Sequence, residues 1–155
     1  MTGHIQATRN LWLTPDEVWA TVTDLRHWDT WFTLHQGWVK EPPAVLKPGA
    51  TLVNKIAVLG VPTTMTWHVS VMDSPWRLVV TGTGAAGVRC RFEMNCTPTK
   101  EGVEFTMSGG FRGEFLQGVV GDALENDLNR QLSSALRRLD ALSTPHHHRE
   151  LAATA

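Results

Sequence analysis

At 155 residues the chain has the size of one domain with a single core. Hydrophobic content of 42%, charged content of 19% and a net charge of -1 fit an ordinary globular protein and leave no electrostatic footprint for nucleic acid. Residues 1–10 lack the basic-then-apolar order of a signal peptide, and no apolar run reaches the length of a membrane span, so the expectation is a cytoplasmic protein.

Residues 4–12 read as a first strand, with Ile5, Ala7, Arg9 and Leu11 on the inner face. Thr14-Pro15-Asp16-Glu17 then supplies an N-cap, a proline at the first helical position and the glutamate of a capping box. The helix that follows carries Val18, Trp19 and Val22 inward. A second short helix over about Leu25 to Phe32 carries Trp28 and Trp31, with Asp24 and Asp29 read as caps.

Strands follow near 35–41 and 50–59, separated by Pro42-Pro43 and Lys47-Pro48-Gly49. Thr64 to Met72, Trp76 to Gly82, Val88 to Cys96 and Val103 to Gly109 alternate apolar with polar residues and are joined by short turns. Gly82-Thr83-Gly84 reads as a hairpin bend. That spacing predicts an antiparallel meander, apolar on one face and wet on the other. Cys90 and Cys96 fall six residues apart in one strand, ~20 Å at 3.3 Å per residue, so they are read as reduced core thiols.

From about Glu114 to Leu142, Leu116, Val120, Ala123, Leu124, Leu128, Leu132, Ala135, Leu136 and Leu139 recur at helical spacing. A helix of that length spans roughly 40 Å and needs a broad surface to cover its apolar stripe. The expected fold is α+β: a curved antiparallel sheet of six or seven strands around a long C-terminal helix, with two short helices between strands 1 and 2. The domain is expected over 1–143. The remainder, 144–155, is read as a disordered tail whose run His146, His147 and His148 is an inert set of free histidines rather than a metal site.

A curved sheet cannot lie flush on a straight rod, and the mismatch leaves a cavity unless large side chains fill it. The seven tryptophans are the natural lining or the natural plug, and the absence of tyrosine removes one common general acid. Residues expected to face the cavity include Trp31, Leu52, Asn54, Ile56, Trp67, Val69, Leu78, Val80, Phe92, Met94, Phe105, Met107, Leu116, Val120 and Leu124.

Arg9 has two readings: a clamp for a ligand carboxylate or enolate, or a structural pair with an acid of the last helix such as Asp127. His35 is the candidate acid or base, because imidazole titrates near neutrality, against a plain core histidine. Asn54 either orients a ligand carbonyl or satisfies a buried backbone group. His68 should face water. No nucleophile elbow, metal motif or phosphate-cradling glycine loop is present, so neither metal nor nucleotide cofactor is expected.

Thr14-Pro15-Asp16-Glu17-Val18-Trp19, then Thr23-Asp24-Leu25 with Trp28 and Trp31, resembles the START-like helix-grip superfamily (SRPBCC; polyketide cyclase/dehydrase-like). Leu34-His35 with Trp38, Pro48-Gly49-Ala50, Val58-Leu59-Gly60-Val61-Pro62, Thr66-Trp67 and Gly82-Thr83-Gly84 with Gly87-Val88 are similar to one actinobacterial subfamily. That subfamily includes toxins of mycobacterial type II toxin–antitoxin pairs. The chain departs from it around Leu116-Gln117 and Asp122, where a more apolar, glycine-rich entry is the pattern.

The resemblance implies binding of a small hydrophobic molecule, polyketide- or lipid-like, in the sheet–helix cavity. It leaves two alternatives open: a polyketide cyclase/dehydrase with His35 as base and Arg9 as enolate clamp, and a toxin partnered by a protein antitoxin. A homodimer also stays open.

Overall fold

A computed structural model describes residues 3–142 in full and, over 143–154, only the continuing course of the last helix. The tail reading and its histidines lie outside the fully described residues. The elements are β1 (Gly3–Leu11), α1 (Pro15–Val22), a 3-10 turn (Leu25–His27), α2 (Trp28–Trp31) and β2 (His35–Trp38). Then come β3 (Thr51–Val58), β4 (Val61–Asp73), β5 (Arg77–Gly84), β6 (Arg89–Pro98), β7 (Val103–Arg112) and α3 (Gly118–Thr154).

The strands form a seven-stranded antiparallel sheet in the order β1-β7-β6-β5-β4-β3-β2, curled as a half-barrel with α3 packed on its inner side. Register shifts between Val69 and Val71 and between His35 and Gly37 are bulges, which bend a strand and sharpen its twist. Between β6 and β7 the backbones close in: a Cβ on Gly109 would lie 1.8 Å from the Arg91 carbonyl oxygen. The β1 edge is covered by α3, where Asn129 Oδ1 accepts from the Gln6 amide at 2.8 Å. Across the sheet, the β2 edge is four residues long, too short to template pairing with another chain.

Local chemistry starts α1 as the sequence predicts. The Glu17 amide donates to Thr14 Oγ1 at 3.2 Å and the Thr14 amide donates back to Glu17 Oε1 at 3.1 Å, a closed capping box. The core joins the inner faces of β1 and β3–β7 to Leu124, Leu128, Leu132, Ala135, Leu136 and Leu139 of α3. Cys90 and Cys96 are free and buried, and burial pushes their thiols up to about 12 and about 11.

Some local expectations need correction. The last helix begins at Gly118, not near Glu114, and its buried stripe opens on Gly121 rather than Val120, which is 46% exposed. The reason is close packing: a Cβ on Gly121 would lie 2.5 Å from the Leu116 carbonyl oxygen, so only glycine fits that turn. Asp24 makes no helix cap and instead meets His27 Nδ1 at 2.6 Å. Asp127 pairs with Arg130 and Gln131 and not with Arg9. Finally, Gly82 is no bend: it sits inside β5, opposite Trp67 and Cys90, with the turn lying beyond Gly84.

Candidate functional site

The apolar cavity lies between the concave sheet and the segment that follows α1. Its walls are Leu52 of β3, Trp67 of β4, Leu78 and Val80 of β5, and Phe92 and Met94 of β6. Its roof is Trp28 and Phe32, at either end of the single turn of α2, and Leu46 from the connector between β2 and β3. Thus α2 and the connector close it, whereas the expected roof was the C-terminal helix. Every side chain in the lining is an aliphatic, aromatic or thioether group. Trp67 and Phe92 stack with centroids 5.4 Å apart, and Phe32 meets Phe92 edge-on at 6.4 Å.

Gly82 makes room for this arrangement. A Cβ there would stand 2.5 Å from the Trp67 ring, so the absent side chain is what lets the indole lie over β5. The space left is small, about 10 Å³, roughly the room for one water. In this state the tryptophans and phenylalanines fill the hollow.

Beside the cavity runs a buried polar chain across three adjacent strands. Trp67 Nε1 donates to Asn54 Oδ1 at 2.8 Å, and Asn54 Nδ2 lies 2.9 Å from His35 Nδ1. An indole N–H can only donate, so the Asn54 oxygen is the acceptor and its amide group faces the imidazole. His35 Nδ1 must then accept, which puts the proton of the neutral ring on Nε2. Burial lowers the His35 pKa below its ordinary value, with Asp29 partly offsetting this by favouring the charged form. Trp28 and Trp38 enclose the imidazole at centroid distances of 5.9 and 4.8 Å.

The sequence-named residues divide accordingly. Trp67, Phe92 and Met94 line the cavity, and Asn54 and His35 are tied to Trp67. Phe105, Met107, Leu116 and Leu124 are core residues outside the lining. Trp31 is fully buried and packed on Phe32 at 5.3 Å, and its Nε1–H finds no acceptor among the described residues.

Arg9 lies on β1, at the opposite edge of the sheet order from His35, and Nε donates to Asp140 Oδ2 at 2.7 Å. It takes the structural role, with Asp140 as the acid, and does not line the cavity. His68 is exposed and meets Thr51 Oγ1 at 3.1 Å.

Three lining residues were missed: Trp28, Phe32 and Leu46. The four-residue spacing of Trp28 and Phe32 on the short helix was a usable signal. Leu46, among prolines and without periodicity, offered none. Among the described residues there is no group of three or more His, Cys, Asp or Glu that could hold a metal, and no helix long and apolar enough to cross a membrane.

The profile of a family described as "Polyketide cyclase / dehydrase and lipid transport" matches residues 2–144. A Mycobacterium tuberculosis relative named "Uncharacterized protein Rv1546" is 25% identical over 89% of this chain and 96% of its own length. Another protein of that organism, named "Toxin Rv0910", is 25% identical over 81% of this chain and 87% of its own. A solved structure of a START superfamily protein from Mycobacterium smegmatis superposes with a TM-score of 0.68 at 11% identity, covering 90% of this chain and 98% of that one.

Proposed function

Since the chain belongs to the polyketide cyclase/dehydrase and lipid-transport family, we propose that it binds a small hydrophobic molecule, polyketide- or lipid-like, in the cavity under α2. The observation that carries this reading is a wholly apolar lining whose roof comes from one helical turn and a connector outside the sheet. Trp28 and Phe32 sit on one helical turn, and Leu46 is the single buried side chain of residues 41–50. Side chains held by short or irregular segments withdraw at lower cost than those of central strands. Uncovering Leu46 forfeits roughly 2–3 kcal/mol of burial, which about four buried methylenes of a guest offset at ~0.8 kcal/mol each.

The polar chain gives the walls their shape. Through Asn54, His35 fixes the indole of Trp67, so that one wall stays rigid while the roof moves. Neither His35 nor Arg9 lines the cavity, so their placement gives a cyclisation step no pair of groups acting on a guest there.

The test is native mass spectrometry of the purified protein, followed by titration with a long-chain fatty acid and an aromatic polyketide under tryptophan fluorescence. Binding of either class, weakened by Met94→Trp, is the expected result. No bound mass and no fluorescence change, in the wild type and in Leu46→Ala, would overturn the proposal.

The likeness to a toxin-named protein favours a second reading, in which the chain is the toxin of a type II pair held by a protein antitoxin. Growth arrest on expression, relieved by a small gene adjacent to this one, is its expected signature. Unimpeded growth counts against it.

A further inference from the structure

We propose that the outer face of the sheet carries a second binding site, for a phosphate-type oxyanion, at a groove lined by Arg91 and His4 and flanked in register by Arg89 and Arg112. The groove encloses about 640 Å³ over β6 and β7 and round the β1 edge to α3, and its lining includes His4, Arg91, Ser108, Gly109, Gly110 and Asn129. Register places its charges. Arg91 pairs with Gly110, and Gly110 with His4, so the guanidinium and the imidazole flank a position with no side chain. Two strand spacings separate their backbones by ~10 Å, a gap that a tetrahedral anion with its hydrogen bonds can bridge.

Two residues earlier, at the start of β6, Arg89 pairs directly with Arg112. Like charges placed opposite one another destabilise a sheet, and both side chains are exposed with no acidic partner within ion-pair distance among the described residues. The acid nearest on this face, Glu93, is engaged by Arg77 and lies 3.7 Å from Arg91. Elsewhere on the face, Glu104 sits opposite Thr97 at the far end of β7. From the helix side, Asp122 and Glu125 line a separate groove beside Gly3 and Phe111.

Arg91 thus lines a hollow floored by glycine backbone, and register sets Arg89 and Arg112 on the same face two residues away. Guanidinium forks match phosphate oxygens two at a time, and an anion there would relieve the opposed pair. The chemistry is shared by a free phosphate ester and by a phospholipid headgroup. The site stands apart from the apolar cavity, so its test is independent of the hydrophobic-ligand reading.

The experiment has two arms: titration of the 15N-labelled protein with sodium pyrophosphate, and co-sedimentation with phosphatidylglycerol vesicles, each against sodium chloride at matched ionic strength. Saturable shifts of the Gly109 and Gly110 amides and of the Arg91 side chain are expected with pyrophosphate if a free ester is the natural source. Sedimentation with vesicles, without those shifts, assigns the site to a headgroup. In either arm the double variant Arg91→Ala/Arg112→Ala should weaken binding at least tenfold with a melting temperature no lower than that of the wild type, and Lys40→Ala should bind as the wild type. Absence of binding in both arms, or binding that survives the double variant, would overturn the proposal.

Discussion

Asn54 occupies a fully buried position on a strand face between Leu52 and Ile56, where an apolar residue would cost nothing in solvation. It is the middle of a donor–acceptor sequence that no apolar residue can complete. Replacing it by leucine strands the Trp67 Nε1–H and His35 Nδ1, and at 1–3 kcal/mol for each abandoned group the loss should be about 3 kcal/mol, read from urea denaturation.

Asn54→Asp is the sharper test of direction. A carboxylate accepts on both sides, so the ring proton should move from Nε2 to Nδ1, and the 15N chemical shifts of His35 report which nitrogen carries it. Acid adds a separate signature. Burial holds the folded-state pKa of His35 below its ordinary 6.5, so between those values the unfolded chain binds more protons than the folded one. Stability contributed by the neutral ring is therefore full above about pH 6.5 and declines as pH falls towards the folded value. Melting temperatures of the wild type should show that decline, and His35→Gln should remove its share of it.

At the scale of elements, the parts legible in the sequence are those whose partners stand a few residues apart. Thr14 and Glu17 announce α1 because both halves of the box lie within four residues, and Thr14→Ala should cost about 1 kcal/mol in chemical denaturation. Period-two alternation likewise gives the inner faces of β6 and β7, and that of β4 as far as Val69, where a bulge carries Val71 to the other face and turns Met72 inward. What stayed hidden depended on distant backbone. The first turn of α3 is set by Gly121 against the Leu116 carbonyl, a contact that hydrophobic spacing cannot express, so spacing alone puts Val120 inside although it is exposed. The role of Gly82 was hidden for the same reason: it answers to an indole on the neighbouring strand. Arg9 showed only that it needed a partner. Which acid of the last helix supplied it depended on how α3 lies along β1.

For the whole molecule, the decisive relation is between a closed cavity and the work of opening it. Curvature of the sheet creates the hollow, and Trp28, Phe32 and Leu46 close it to about 10 Å³, so empty protein and occupied protein cannot be packed alike. If a guest binds only an opened state, its apparent affinity is reduced by the fraction of molecules that are open. Leu46→Ala acts on both sides of that balance. Without ligand it removes a buried side chain and leaves a void, so stability should fall by about 2–4 kcal/mol. With ligand the same void is room already made, so the dissociation constant should fall while the unliganded melting temperature also falls. Saturating guest then restores stability by mass action, ~2.7 kcal/mol at a hundredfold excess over the dissociation constant. Thermal melts of wild type and Leu46→Ala, each with and without a long-chain fatty acid, separate this from plain damage. A roof residue gives lower stability with tighter binding, whereas a residue that only fills the core gives lower stability with no gain in affinity.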